Sequence, residues 1–239
     1  MGSEHREMQR LWVITECYYP EVISIDHYLA KIAHGLTDTF DVKVICGQPR
    51  FESRGAPHPI CEARNGVEIV RVWCTRFDND DVVKRIVNRF TRGVSILWKS
   101  LREFRKGDRV LVVTAPLYLP FATAVASLVK GGAYTLLIPD PYPNEFLNVG
   151  KLKQNSIIVS TVHFANAWLF KHAARIIVVD PEMAGLVSFR TGGLGIPIKI
   201  IPNWADSDEL QGISEPGPND AETRYTMEVA LERYREALQ

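Results

Sequence analysis

"RVLVVTAPLYLPFATAVASLVKGGAYTLLIP", residues 109–139, carries the unit that decides the fold. Two apolar runs, "RVLVVTA" and "AYTLLIP", bracket a helical stretch that ends in Gly131 and Gly132. Each run is nearly continuous in Val, Ile and Leu instead of alternating with polar residues. That is how strands covered on both faces read, and it implies a parallel sheet. Parallel neighbours need a crossover, and the helical stretch supplies one of the right-handed βαβ kind.

The same alternation extends outward in both directions. Upstream stand "LWVIT" (11–15), a helical "IDHYLAKIAHGLTD", "DVKVICG" (41–47), "GVEIVRVW" (66–73) and a long helical segment, 82–106. Downstream stand a helix near 155–173, "RIIVVD" (175–180), "PEMAGLVSFRTGG" and "IKIIPN" (198–203). The expectation is an α/β fold: a Rossmann-like, doubly wound, mostly parallel sheet of about six or seven strands in a single domain, residues 10–206. Residues 207–222, with Gly212, Pro216, Gly217 and Pro218, read as a linker. Residues 223–239 form a last helix with Met227, Ala230, Leu231, Tyr234 and Leu238 on one face. A helix this short is marginal alone in water, so its stripe is expected to dock on the domain.

The 239 residues hold 28 basic and 28 acidic side chains, so net charge names no partner. Cys17, Cys46, Cys61 and Cys74 stand singly, without metal-ligand or redox-pair spacing. With no signal peptide in view, reduced thiols in a cytoplasm are expected. No apolar run reaches the ~20 residues of a membrane span.

Ligands of such sheets bind outside the carboxyl ends of the strands. Asp140 stands at one of those ends, between Pro139 and Pro141, with Pro143 beyond. Prolines fix φ and remove backbone donors, which holds the carboxylate in place. It reads as a general base or hydroxyl-positioning group; helix N-capping is the alternative. Glu145 reads as a ligand contact or as first-turn dipole complementation. The loop after the first strand, "TECYYPEVISIDHY" (15–28), lacks the glycines of a dinucleotide phosphate turn, so no nicotinamide or flavin cofactor is expected. Glu21, Asp26 and His27 lie in it as substrate contacts; ordinary helix capping by Ser24 or Asp26 is the alternative. His163 and His172, nine apart on one helix, read as structural. "TGGLG" (191–195) follows a helix and precedes a strand, the order of a helix C-cap and turn.

Segment 82–106 carries eight cations, Lys84, Arg85, Arg89, Arg92, Lys99, Arg102, Arg105 and Lys106, against Glu103 alone, a net +7. Val83, Ile86, Val87, Phe90, Val94, Leu97, Trp98 and Leu101 form its apolar stripe. One reading is a helix lying on an anionic membrane surface through Arg85, Arg89, Arg92 and Trp98. The other is a sheet-packing helix with a solvated basic face. No nucleic-acid module accompanies the charge.

The ordered set of motifs resembles the amino-terminal half of family 4 GT-B glycosyltransferases of the bacterial capsule, O-antigen and exopolysaccharide type. The resemblance rests on "YYPE" (18–21), "CGQPRF" (46–51), "NGVEIVRV" (65–72), the block Asp140, Pro141, Tyr142, Pro143, Asn144 and Glu145, then "VGKLK" (149–153), "KHAARIIVVDPEM" (171–183) and "KIIPNWAD" (199–206). It implies two Rossmann-like domains with a cleft between them, the first holding the acceptor and the second the nucleotide sugar, with no metal. The second domain has no counterpart between Asp206 and the last helix, which resembles the family's final helix crossing back to the first domain. The resemblance therefore implies a retaining glycosyltransferase half in polysaccharide biosynthesis. Its partners would be a lipid-linked or polysaccharide sugar acceptor and a nucleotide sugar bound by a donor domain supplied elsewhere. No cofactor and no nucleic acid are implied, and the place is the cytoplasm, peripheral on the inner membrane face. Asp140 would act on the acceptor hydroxyl, with Glu21, Asp26, His27, Tyr142 and Glu145 binding it. A non-catalytic acceptor-binding module, or a fragment without activity, is the alternative. Two departures stand out: the family's glycine-containing turn is replaced by Val22–Asp26, and Asp180 stands where serine is common.

Overall fold

The computed structural model describes residues 8–20, 24–49, 58–77, 81–139, 157–192, 194–204 and 226–239. The strands are β1 (Gln9–Ile14), β2 (Phe40–Gly47), β3 (Cys61–Arg64), β4 (Val67–Val72), β5 (Arg109–Val113), β6 (Ala133–Ile138), β7 (Arg175–Val178) and β8 (Ile198–Ile200). The helices are α1 (Ser24–Gly35), α2 (Val82–Glu103), α3 (Tyr118–Lys130), α4 (Ile157–Lys171), α5 (Pro181–Thr191) and α6 (Met227–Leu238). They build one eight-stranded sheet in the order β3-β4-β2-β1-β5-β6-β7-β8, parallel except for β3 against β4.

The architecture is the doubly wound α/β fold that the continuous apolar runs predict. Val110, Leu111 and Val112 are consecutive in β5 and all fully buried, as are Ile176, Ile177 and Val178 in β7. Neighbouring strand residues point to opposite faces, so burial of three in a row requires helices on both. Right-handed crossovers place α2, α3, α4 and α5 over one face and α1 over the other, where α6 joins it. One strand exceeds the expected count. β3 pairs with β4 through a two-residue turn at Asn65 and Gly66, both at positive φ (48° and 79°), the conformation that Asn-Gly favours in hairpins.

The amino-terminal edge of the sheet is clamped by Asp108. Its buried carboxylate accepts from Arg10 (2.8 Å to each oxygen), from Trp12 Nε1 (2.9 Å) and from the Arg105 backbone (2.9 Å). β1, the end of α2 and the start of β5 are thereby tied at one point.

α6 starts at Thr226, whose hydroxyl accepts from Val229 N. It buries Ala230, Leu231, Tyr234, Ala237 and Leu238, whereas Met227, expected on that face, is 39% exposed. The first turn overhangs the contact, so Met227 has nothing to pack on. α1 and α6 approach closely at Gly35, where an added methyl would lie 2.3 Å from Leu231 Cδ1. Arg235 bonds Asp38 (2.7 Å) and the Gly35 carbonyl (3.0 Å). Arg109 donates to the Gln239 carbonyl and Arg175 to those of Glu236 (3.0 Å) and Ala237. Two cations thus meet the negative end of the helix dipole.

Leu231→Ala is expected to cost about 2–5 kcal/mol, and Met227→Ala under ~0.5 kcal/mol. Urea unfolding of both variants checks this; equal losses would place the contact elsewhere. A pH effect follows from His34, in the last turn of α1. Burial first, and Arg64 second, hold its pKa below the ordinary 6.5. The unfolded state then binds the proton more readily, so stability is fully present above pH 6.5 and declines as pH falls below it. His34→Gln should flatten part of that decline between about pH 7.5 and 5.5, read from urea midpoints.

Candidate functional site

Strand order reverses at β1: β2, β4 and β3 lie to one side and β5 to β8 to the other. The crevice at the carboxyl ends of β1 and β5 is therefore where a sheet of this topology takes a ligand. The loops that reach it are Thr15–Pro20 after β1, Gln48 after β2, Trp73 and Cys74 after β4, and Thr114–Pro116 after β5.

The glycine-free loop after β1 stays laced to its neighbours. Thr15 N donates to Ile45 O (3.2 Å), and Gly47 N to Glu16 O (3.0 Å). The buried Arg71 staples three segments, through Glu62 (2.8 Å) and the carbonyls of Pro59 (3.0 Å) and Tyr19 (2.9 Å). Arg64 lies 3.4 Å from the Tyr19 ring centroid. Gln48 both donates to His58 O (3.0 Å) and accepts from His58 N (3.1 Å). Tyr18 is buried beneath this loop. Desolvation raises its pKa well above the ordinary 10.0, so it stays a neutral phenol.

The centre of the edge is an ion pair. Arg92, from α2, is 2% exposed; it donates to Glu16 Oε1, and to Cys74 Sγ at 3.4 Å. Burial works against its charge, but the Glu16 carboxylate, with smaller contributions from neighbours, outweighs that and raises its pKa. Gly47 permits the approach, since a side chain there would begin 2.9 Å from Arg92 Nε. Glu16 itself is about a quarter open, its side chain at 23% exposure. The arrangement is a fixed carboxylate at the switch point, able to accept hydrogen bonds from hydroxyl groups.

Arg92 is the clear correction to the sequence reading, which put it on a membrane-facing surface. It is turned inward because Glu16 and the carboxyl edge lie beneath it. Arg85, Arg89 and Trp98 are exposed on α2. His27 is half-buried in the first turn of α1; Asp26 precedes it, its side chain outside the described residues. Glu21, Asp140, Tyr142 and Glu145 also lie outside them, although Asp140 is only two residues past the end of β6. Asp180 is an N-cap: it accepts from Met183 N at 2.7 Å and opens α5, and Gly192, at φ 53°, closes that helix. Glu16 was missed by sequence reasoning. It stands two residues beyond β1, the same logic that singled out Asp140.

No family model matches the chain. A 106-residue stretch, 44% of the chain, is 26% identical to a probable glycosyltransferase, WbjE, of Pseudomonas aeruginosa. That match spans 26% of the relative, so the chain corresponds to about a quarter of its length. A solved chain of sucrose-phosphate synthase from Thermosynechococcus elongatus, named for residues 27–220 and 406–426, superposes with a TM-score of 0.55 at 8% identity. The match covers 96% of this chain and 97% of that one. A longer chain of the same synthase gives a TM-score of 0.51 at 10% identity over 87% of this chain and 53% of that one. The fold is Rossmann-like and of the GT-B type.

The Glu16–Arg92 pair predicts an asymmetry. Glu16→Gln strands a buried cation and is expected to cost about 3 kcal/mol. Arg92→Met leaves a carboxylate that water reaches, at about 1–2 kcal/mol, and the double variant recovers most of the first loss. A double-mutant cycle in urea measures this; a larger loss for Arg92→Met would reverse the assignment of which charge depends on which.

Proposed function

We propose that the chain is the acceptor-side half of a retaining family 4 GT-B glycosyltransferase. It serves hexosyl transfer from a nucleotide sugar to a lipid-linked or polysaccharide acceptor, and the donor domain is supplied elsewhere. The observation that carries this reading is the match to a probable glycosyltransferase over 106 residues of a GT-B-type fold. The carboxyl edge supports the acceptor role. Its switch point presents the Glu16 carboxylate, and the described loop lacks the glycines of a phosphate turn. In the transfer, the bond from the anomeric carbon to the diphosphate oxygen breaks and one to the acceptor oxygen forms. Asp140 takes or orients the acceptor proton; Glu21, Asp26, His27, Tyr142 and Glu145 bind the acceptor's hydroxyl groups. The reading calls for no metal or cofactor. The place that fits is the cytoplasm, on the inner membrane face.

A second reading, a non-catalytic acceptor-binding module, draws on one observation. Residues 207–222 are far too few for a nucleotide-binding domain between β8 and α6.

Calorimetry with nucleotide sugars separates these. The chain alone is expected to bind them more weakly than micromolar, about −8 kcal/mol, and to turn none over. With a donor domain added, transfer should appear and Asp140→Asn should lower it about 10²–10⁴-fold. Micromolar binding by the chain alone, or donor hydrolysis abolished by Asp140→Asn, would refute the half-enzyme. Absence of transfer with every donor domain tried leaves the binding module.

A further inference from the structure

α5 carries an outer face that the domain does not use. Its inner row is Met183, Val187 and Thr191. On the other side Leu186 is 41% and Phe189 86% exposed. Beside them lies Gly185, in the middle of the helix, where glycine weakens helical structure. No contact within the chain calls for it, since an added methyl would meet nothing within 4 Å. Gly35 is the contrast: there a methyl would strike Leu231, so that glycine serves the approach of α6. Gly185 is a hole with nothing in it, next to a phenylalanine with nothing to fill. Phe164, 76% exposed, extends the apolar ground at mid-length of α4, which packs beside α5.

The charges on this face have a symmetry. Glu182 and Arg190 stand four residues to either side of Leu186, so the three form one ridge of the helix. Read in reverse, the ridge is complementary to itself: acid meets base at both ends and leucine meets leucine in the middle. Side chains of a helix also lean toward its own N-terminus. In an antiparallel pair centred on Leu186, the Phe189 ring of each helix therefore reaches over Gly185 of the other.

We propose that α5 is a self-association surface, on which a second copy of this chain docks antiparallel about a two-fold axis at Leu186. Charge selects α5 over the other exposed apolar line. α2 turns Asn88, Arg92, Ile96 and Ser100 inward and leaves Val83, Ile86, Phe90, Val94 and Trp98 outside. Lys84, Arg85, Arg89 and Arg102 are exposed on that helix, so a two-fold contact there would set like charges together. α2 rests on β2 and β4, and α5 on β7 and β8. The two helices are five strand spacings apart, about 24 Å. That is about three Debye lengths at physiological salt, so the cations of α2 do not oppose pairing at α5. α5 runs from the carboxyl edge to the amino edge of the sheet. The antiparallel contact therefore turns the two carboxyl edges to opposite ends of the dimer and leaves both crevices open. An 11-residue helix from each copy makes a contact at the small end of specific interfaces, so the dimer is weak. None of this depends on the transferase reading.

Sedimentation velocity on the full chain tests the proposal. The average mass should rise from one copy at about 1 µM toward two copies near about 200 µM. Phe189→Ser should weaken the dimer at least about 100-fold, since two rings leave the contact and each is worth about tenfold or more. Gly185→Gln should disperse it too, while melting stays level or rises, because the new side chain enters open space and suits a helix better than glycine does. Glu182→Arg should weaken the dimer, and Arg190→Glu added to it should restore association, since the swap rebuilds the pairing with its signs exchanged. Circular dichroism of each variant confirms the fold. A chain that stays monomeric at about 200 µM overturns the proposal, as does a dimer indifferent to both Phe189→Ser and Gly185→Gln. A dimer dispersed instead by Phe90→Ser with Trp98→Ser also overturns it, by placing the contact on α2.

Discussion

The connection from β4 to β5 has to cross two strands. β2 and β1 lie between them, so the crossover spans three strand spacings, about 14 Å. α2 makes that journey with 22 residues, about 33 Å of helix. It must also return along the strands to the start of β5, about 17 Å for a five-residue strand, and the length left over carries its first turns past the sheet at the carboxyl edge. Everything distinctive about the molecule follows from this placement. The inner row meets loop backbone and strand ends there instead of strand faces, so it is polar. Asn88 serves the Thr75–Phe77 loop, and Arg92 serves Glu16 and Cys74. Polar groups inside leave the apolar ones outside.

The two edges of the sheet divide the labour. At the amino edge the charges are consumed by structure. Asp108 is saturated by Arg10, Trp12 and Arg105, while Arg109 and Arg175 cap α6. A cavity of about 140 Å³ there is lined by Arg109, Thr135, Arg175 and Gln239, but both its cations are already engaged with helix carbonyls. At the carboxyl edge the loops are held by backbone and arginine staples, and the side chain of Glu16 stays partly open. Rigid support behind an open polar group is what a binding site needs.

Much of this was legible in the residues. Continuous apolar runs alternating with helices specify a parallel sheet, because only strands covered twice can afford them. The hairpin β3–β4 was missed despite its turn signal, Asn65-Gly66, because Cys61–Arg64 lies at the sheet edge with an exposed–half-buried pattern and no apolar signal. The orientation of α2 was not legible. Periodicity says that a helix has two faces; it does not say which one faces in. That depends on what lies beneath, and here it is a glutamate two residues beyond β1. An arginine among seven other cations gives no local sign that it alone finds a buried partner. Met227 failed for a plainer reason: it continues the stripe of α6 beyond the end of the surface that the stripe covers.

The pairing of Arg92 with Glu16 also bears on what the crevice can attract. Doubly wound sheets that bind dinucleotides present backbone N–H groups and a helix N-terminus to a pyrophosphate, with glycines to let it come close. Here the corresponding loop runs Glu16, Cys17, Tyr18, Tyr19, and its backbone is bonded to β2. Arg92, the cation paired with Glu16, is buried and neutralised within the protein. A diphosphate approaching Glu16 would meet a negative charge first, and the cation behind it would be shielded by its own partner. A sugar hydroxyl meets the opposite situation. It carries no charge to be repelled, it can donate to the outer face of the carboxylate, and the carboxylate is already held in one orientation. The same ion pair therefore stabilises the edge and leaves on it a carboxylate held in place, able to accept hydrogen bonds from hydroxyl groups.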